Sequence, residues 1–303
     1  MELLKCRVCE HGASVSLGYI PDCGYFAGQP VSPPIKGGNL WVCKDCGSMF
    51  RHPTLSKSDY ISLYEKAPGT FWAKGEEDRN DFKLIYKFLD NHTGGSILDV
   101  GCYSGNFLVG LSGKYEKFGV ELSDSASKCA RSKGIKVLGK TLADLDSNLV
   151  FDVVVLIDVI EHLLDVKEIM SQAISRVKEN GLLIISTGNP GCYFWRQVYK
   201  SMFWYSIPAE HLTFPSFKYY NEFSVGNGLQ PPQQICFRYF KINPGERFSR
   251  ILRSAPLLLT PNLYHGLRKI YRYIKNNTTA ITATYPVSLA GVFADHHLAI
   301  FRK

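Results

Sequence analysis

The sequence lacks any apolar run close to the ~18 consecutive residues that a membrane-spanning helix needs. Its first residues also lack the basic and then apolar pattern of a secretory signal, and we see no internal repeat or low-complexity tract. We therefore expect a cytoplasmic protein. The 303 residues, 45% of them apolar and 20% charged, suffice for one sizeable α/β domain and a smaller module.

Cysteine is abundant, but the nine cysteines do not have the arrangement of a disulfide framework. Four of them form two C-x-x-C pairs, Cys6/Cys9 and Cys43/Cys46, with 33 residues between the pairs. Each pair can present two thiolates on a tight turn, and four thiolates complete a closed tetrahedral site for zinc. A closed site has no open coordination position, so we predict a structural Zn²⁺. Unliganded thiols, or Cys23 as a substitute ligand, are the alternatives.

The stretch between the two cysteine pairs is rich in proline and glycine. Such a composition predicts little regular structure and a small core. We therefore expect the metal to organise this part of the chain.

From residue 96 onwards, short apolar strands alternate with helical segments. Strands are predicted at residues 96–100, 118–121, 135–138, 151–157 and 181–187, and helices at residues 106–111, 125–133 and 165–177. This alternation predicts an open, doubly wound and mostly parallel sheet, which binds ligands beyond the carboxyl ends of its strands.

A turn with two glycines follows the first of these strands. Asp99, Gly101 and Gly105 give the spacing D-x-G-x-x-x-G and not the G-x-G-x-x-G of a dinucleotide site. The wider turn, with a carboxylate inside it, disfavours a pyrophosphate and suits a cationic amino-acid moiety. Glu121, at the end of the second strand, can accept hydrogen bonds from ribose hydroxyls.

Together these residues resemble the class I S-adenosylmethionine-dependent methyltransferases over about residues 96–187. The resemblance implies a seven-stranded Rossmann-like sheet and S-adenosyl-L-methionine as the cofactor. The cofactor contacts that it implies are Asp99, Gly101, Tyr103, Gly105, Glu121, Leu142 and Asp158. Leu142 belongs to a turn expected near the adenine, and Asp158 to the segment after the fourth strand. Tyr103 departs from the family, which often has glycine there.

We accordingly predict three regions in the chain. Residues 1–75 form a zinc-ribbon-like module with a linker, and residues 76–235 form the methyltransferase core with its substrate-pocket segment. Residues 236–303 form a basic segment followed by a closing strand of the sheet.

The nature of the acceptor is indicated by two segments. Methyltransferases of base amino groups typically carry [D/N]-P-P-[F/Y/W] after the fourth strand; the sequence at residues 157–160, I-D-V-I, argues against that activity. Methyl transfer to a hydroxyl needs a base, for which we predict His211, oriented by Glu210. A histidine that merely binds a backbone carbonyl is the alternative. His162 is a second candidate.

Residues 210–214, E-H-L-T-F, resemble a stretch common in methyltransferases of sugars and other small metabolites. The cysteine module joined to a class I domain resembles nucleotide-sugar and glycan methyltransferases. We therefore predict O- or C-methylation of a small-molecule or lipid-linked sugar. The alternatives are an RNA methyltransferase whose zinc module grips nucleic acid, which the charge distribution disfavours, and a cofactor-binding protein without catalysis.

The net charge of +8 is concentrated near the C-terminus. Nine basic residues and one acidic residue fall between Arg238 and Lys275. A basic amphipathic helix there predicts peripheral contact with an anionic membrane surface, attraction of a substrate phosphate, or a solvated helix face. The closing strand at residues 296–301 contains His296 and His297, which we expect to be structural.

Overall fold

The architecture is seen in a computed structural model that describes residues 4–11, 13–68, 79–203, 205–206, 208–239 and 294–303. These residues belong to one compact unit. The predicted basic helix between Arg247 and Lys275 lies outside the described residues. The predicted membrane or phosphate contact therefore stays a prediction, as do the three domain boundaries. Among the described helices, none is long and apolar enough to cross a membrane.

The N-terminal module contains five strands and one helix. They are β1 (Ser14–Tyr19), β2 (Cys23–Phe26), β3 (Gln29–Ile35), β4 (Asn39–Cys43), β5 (Met49–His52) and α1 (Lys57–Glu65). The expectation of little regular structure here is wrong. Strands β1, β4 and β5 pair antiparallel in one sheet, β2 and β3 form a hairpin, and Ser56 caps α1 in a capping box.

The methyltransferase core follows the predicted alternation. Its helices are α2 (Asn80–Asp90), α3 (Asn106–Gly110), α4 (Asp124–Ser132), α5 (Val166–Ser175) and α6 (Phe217–Gly226). Its strands are β6 (Gly95–Val100), β7 (Tyr115–Val120), β8 (Lys136–Gly139), β9 (Phe151–Ile157), β10 (Val177–Gly188), β11 (Thr213–Phe214), β12 (Gln233–Phe237) and β13 (His296–Arg302). Side chains of Ser123, Asp165 and Ser216 accept hydrogen bonds from backbone N–H groups and so begin α4, α5 and α6.

The main sheet has seven strands in the order β12-β13-β10-β9-β6-β7-β8. Only β13 runs antiparallel to its neighbours in the sheet. This confirms the predicted seven-stranded, mostly parallel Rossmann-like fold. The chain moves outward from β6 to β8 and then returns to β9 on the other side of β6. The crevice between the carboxyl ends of β6 and β9 is therefore the position where such sheets bind ligands.

The N-terminal module is joined to the core by a shared sheet. Strand β11 pairs antiparallel with β5, with Thr213 opposite Phe50 and Phe214 opposite Met49. The pairing places the segment just before β11, which contains Glu210 and His211, against the module.

Strand β13 buries a histidine in the core. His297 is fully buried, and neither of its ring nitrogens has a hydrogen-bond partner among the described residues. Its ring packs 5.6 Å from that of Tyr220. Burial, together with the neighbouring His296, lowers the pKa of His297 to about 3. The side chain therefore enters the folded core as the neutral imidazole.

We expect the protein to lose stability between pH 6.5 and about 3, because the unfolded chain protonates His297 in this window and the folded chain does not. One such proton contributes a slope of up to about 1.4 kcal/mol per pH unit. In the variant His297→Phe, urea unfolding at pH 7, 6 and 5 should show a slope reduced by up to that amount. A slope identical to that of the wild type would contradict the assignment.

Candidate active site and cofactor pocket

The turn between β6 and α3 follows a backbone path that requires glycine. Gly101 and Gly105 have φ values of +73° and +77°, and Tyr103 between them has φ +46°. A Cβ atom at Gly101 would lie 2.7 Å from Cγ2 of Val159, a residue of the turn after β9. The two loops that follow β6 and β9 thus approach each other closely, at the switch point of the sheet.

Glu121 ties this turn to the end of β7. Its carboxylate accepts hydrogen bonds from the backbone N–H groups of Tyr103 (2.8 Å) and Ser123 (2.7 Å). Burial raises the pKa of Glu121 above its ordinary value, against the opposing effect of these two donors. A carboxylate held at the end of the second core strand, beside the glycine turn, has the chemistry needed to accept hydrogen bonds from ribose hydroxyls.

Tyr103, the residue that departs from the family pattern, has a defined position. Its hydroxyl donates a hydrogen bond to the carbonyl of Pro68 (3.1 Å), so its ring is fixed at both the backbone and the tip. Asp99 is buried at the carboxyl end of β6. Leu142 lies in the turn after β8, where its side chain packs in the main apolar cluster.

Asp158 follows β9 directly and has the left-handed backbone φ of +51°. Its carboxylate binds Arg79 Nη2 at 2.8 Å and accepts hydrogen bonds from the hydroxyls of Tyr239 (2.8 Å) and Tyr205 (3.3 Å). Burial opposes ionisation, but the charge of Arg79 outweighs it and lowers the pKa of Asp158. Asp158 is therefore a charged group in the turn directly after β9.

The pKa of Glu161, three residues later, is shifted in the opposite direction. Glu161 is fully buried, accepts a hydrogen bond from the hydroxyl of Thr187 (2.9 Å) and shares a second hydrogen bond with the hydroxyl of Tyr205. Burial and the nearby charge of Asp158 raise the pKa of Glu161 to about 8. Two carboxyl groups in one turn thus differ in protonation at neutral pH, a pattern found where a site handles protons.

Two histidines face each other above this turn. The rings of His162 and His211 are 4.8 Å apart, centroid to centroid. His211 Nδ1 lies 2.5 Å from the carbonyl oxygen of Tyr205. A carbonyl only accepts, so Nδ1 carries the proton and Nε2 is the acceptor. Burial, with the neighbouring His162, lowers the pKa of His211 well below its ordinary value, so the ring is neutral at neutral pH.

His162 is held in the same way by its Nδ1 atom, which lies 3.1 Å from the carbonyl of Glu210 and 2.8 Å from the hydroxyl of Tyr64. Glu161, His162 and His211 offer ligand atoms within 4.8 Å of one another. Both oxygens of Glu161 are already hydrogen-bonded to hydroxyl groups, however, and both Nδ1 atoms are held by carbonyls. The arrangement fits proton transfer better than it fits a metal ion.

Glu210 occupies a different place from the one predicted. Its carboxylate oxygen Oε1 accepts a hydrogen bond from the backbone N–H of Ala27 (2.5 Å), in the β2–β3 hairpin. The group that fixes the His211 ring is the carbonyl of Tyr205. Glu210 acts on the histidine pair through its backbone carbonyl, which His162 binds.

The structure brings Asp99, the glycine turn and Asp158 to one edge of the sheet and places His211 beside the turn after β9. Two contributors were missed by the sequence prediction: Arg79 and Tyr239. They come from distant parts of the chain and have no spacing signature. Glu161 was within reach of sequence reasoning, since it is an acid that directly follows the segment at residues 157–160.

The four predicted zinc ligands converge. Sγ of Cys6 lies 3.9 Å from Sγ of Cys46, Sγ of Cys9 lies 3.7 Å from Sγ of Cys43, and all four sulfur atoms are within 4.8 Å of one another. A tetrahedral zinc ion with Zn–S bonds of about 2.3 Å separates its sulfur ligands by about 3.8 Å. The observed spacings therefore suit one tetrahedral ion.

The strand order, the glycine turn and the acid after β7 define a class I S-adenosylmethionine-dependent methyltransferase. Comparison with known proteins agrees. A family model described as a methyltransferase domain matches residues 75–231, just over half of the chain. The chain therefore belongs to this methyltransferase-domain family.

Relatives with assigned names are ubiquinone biosynthesis O-methyltransferases. The protein of Rickettsia felis is 36% identical over 149 residues, covering 43% of this chain and 60% of that protein. The protein of Rickettsia prowazekii is 30% identical over 149 residues, covering 43% and 58%. The match thus spans at most about three fifths of these two relatives.

Among solved structures, phosphoethanolamine N-methyltransferase 2 of Haemonchus contortus, in complex with S-adenosyl-L-methionine, superposes with a TM-score of 0.54. The two share 16% identity, and the match covers 84% of this chain and 61% of that chain. This likeness shows the fold.

The prediction of a sugar or glycan acceptor is wrong, and so is RNA as its alternative, because the named relatives are O-methyltransferases of ubiquinone biosynthesis. The cysteine pairs that suggested sugars lie outside the matched residues 75–231. Their position gives no information about the acceptor that the matched domain binds.

Replacing Gly101 by alanine should weaken cofactor binding at least 10-fold, because φ +73° disfavours a side chain and the new Cβ would displace Val159. Calorimetric titration with S-adenosylhomocysteine measures this. Gly113→Ala is the matched control, since a Cβ there meets nothing within 4 Å. Equal affinities of the two variants would contradict this placement of the cofactor.

Proposed function

We propose that the protein transfers a methyl group from S-adenosyl-L-methionine to a hydroxyl group of a small aromatic acceptor, with His211 as the general base. The observation that carries this proposal is the tautomer of His211, whose Nδ1–H is bound by Tyr205 so that Nε2 can accept a proton. The names of the relatives, which are O-methyltransferases, support an oxygen acceptor.

The residues of the cofactor turn fit the proposed contacts. Gly101 and Gly105 leave room for close approach of a ligand to the backbone, and Asp99 and Glu121 supply carboxylates. When bound, the cofactor supplies a methyl group activated by its sulfonium. Direct contacts of Tyr103, Leu142 and Asp158 with the cofactor remain part of the proposal.

A hydroxyl becomes an adequate nucleophile only as its proton leaves. The lowered pKa of His211 keeps the imidazole neutral and able to accept that proton. The negative charge of Asp158 favours a protonated His211 and so stabilises the cation that forms on the ring. His162 lies against the same ring and serves as a second proton-accepting group or as a wall of the pocket.

The surroundings of His211 are aromatic. The ring of Tyr205 lies 4.1 Å from that of His211, and the rings of Trp195 and His296 lie 5.7 and 4.7 Å from Tyr205. These rings are buried and pack against one another, so they support the histidine from behind. The aromatic acceptor is proposed from the relatives, which are O-methyltransferases of ubiquinone biosynthesis.

His211→Ala should lower kcat for a hydroxylated aromatic acceptor by roughly 100-fold or more, with little change in affinity for S-adenosylhomocysteine, because the base is lost and the cofactor turn is untouched. Initial rates with methyl-labelled cofactor and calorimetry measure the two quantities.

The control is His92→Ala, in the turn before β6 and so at the end of that strand opposite the cofactor turn. It should turn over at the wild-type rate. Near-normal turnover of His211→Ala would show that His211 is not the general base and has a structural role only.

We further propose that the four cysteines hold one structural Zn²⁺. The sulfur spacings of 3.7 and 3.9 Å support this, as does the closed ligand set. The zinc would tie the turn at Cys6 and Cys9 to the turn after β4.

Elemental analysis of the purified protein should find about one zinc per chain. Cys9→Ser should lose most of it and lower the thermal midpoint, because three thiolates bind the ion less tightly. Cys129→Ser, at a half-buried cysteine of α4 outside the cluster, should keep both. A wild-type protein that contains no zinc when purified from zinc-supplemented medium would contradict the proposal.

A further inference from the structure

Arg51 is the largest side chain that is fully buried among the described residues. It lies on β5 of the N-terminal module. Its Nη2 atom donates hydrogen bonds to the backbone carbonyls of Ser206 and Pro208 (3.0 Å to the latter), and its backbone N–H donates to the carbonyl of Leu212 (2.8 Å). One arginine thus binds the segment around His211 at three points.

Those points adjoin both anchors of His211. The carbonyl of Pro208 that accepts from Arg51 also accepts from the backbone N–H of His211 (3.2 Å). Ser206 directly follows Tyr205, whose carbonyl holds the imidazole Nδ1. A shift of either carbonyl would therefore move the histidine backbone or rotate its ring.

Other groups of the same module brace the same segment. The Tyr60 hydroxyl donates to the carbonyl of Ala209 (3.3 Å), and the Ala27 N–H donates to the Glu210 carboxylate. These residues, like Arg51, precede the part of the chain that matches the methyltransferase-domain family. The segment is thus held from a module outside the matched domain.

Burying a guanidinium is costly, and well-packed apolar residues often replace buried ionic groups without loss of stability. What an apolar residue cannot do is donate to two carbonyls at once, as the Nη2 group of Arg51 does. We therefore attribute the presence of arginine at this position to its hydrogen bonds with the two carbonyls and not to its packing in the core.

We propose that Arg51 is a positioning residue for catalysis, through which the N-terminal module fixes the orientation of His211. The proposal rests on the proposed role of His211 as the base. It assigns the module a part in the chemistry of the core and not only in its own folding.

The test compares Arg51→Lys and Arg51→Met with the wild type. We expect kcat to fall roughly 10- to 100-fold in Arg51→Met and less in Arg51→Lys, while the KM for the cofactor and the affinity for S-adenosylhomocysteine change less than about twofold.

Arg176→Met is the matched control. Arg176 is another buried arginine whose guanidinium donates to backbone carbonyls, here those of Leu142 and Leu145 in the turn after β8. Its loss should raise the KM for the cofactor more than it lowers kcat. The thermal midpoint of each variant shows whether a loss of kcat is caused by a loss of stability. If Arg51→Met changes kcat and KM in the same proportion as Arg176→Met, Arg51 is only structural.

A double-mutant cycle keeps the proposal testable even if Arg51→Met fails to fold. In the background of His211→Ala, the change Arg51→Lys should cause no further loss of kcat, because the group that it positions is gone. Independent, multiplicative losses would overturn the positioning role. Near-normal turnover of His211→Ala alone would instead overturn the proposed base, so the two failures are distinguishable.

Discussion

The site depends on the burial of two carboxyl groups in the single turn that follows β9. Asp158 keeps its charge through the ion pair with Arg79, and this charge helps to hold the proton on Glu161. Removing both groups from water is costly unless every oxygen finds a partner. Their partners come from β10, from the loop at Tyr205 and from Tyr239, so the turn draws distant segments together.

The N-terminal module is connected to this buried turn through the segment that contains His211. The backbone N–H of Leu212 donates to the carbonyl of Glu161 (2.7 Å), and β11 then pairs with β5. The histidine segment is therefore clamped between the buried turn and the module. A histidine on a surface loop would sample many orientations, whereas the backbone of His211, the proposed base, is fixed from two sides.

The fold and the position of the glycine turn could be predicted because short local patterns in the sequence specify them. The spacing of Asp99, Gly101 and Gly105 and the paired cysteines each occupy short stretches. Contacts such as Arg79 with Asp158, or Arg51 with Pro208, join residues 79 and 157 positions apart and have no such pattern. The acceptor was predicted wrongly because its evidence came from the zinc module and from a motif around His211, whose neighbour Glu210 serves to bind backbone.

The central claim is that this pocket activates a hydroxyl for methyl transfer. Incubation of the protein with cofactor carrying a ¹³C-methyl group and a set of hydroxylated aromatic acceptors, followed by NMR of the products, tests it directly. The account predicts a new O-methyl carbon signal that depends on the acceptor hydroxyl. Methyl signals on nitrogen or carbon alone, or bound cofactor without transfer to any of these acceptors, would contradict it.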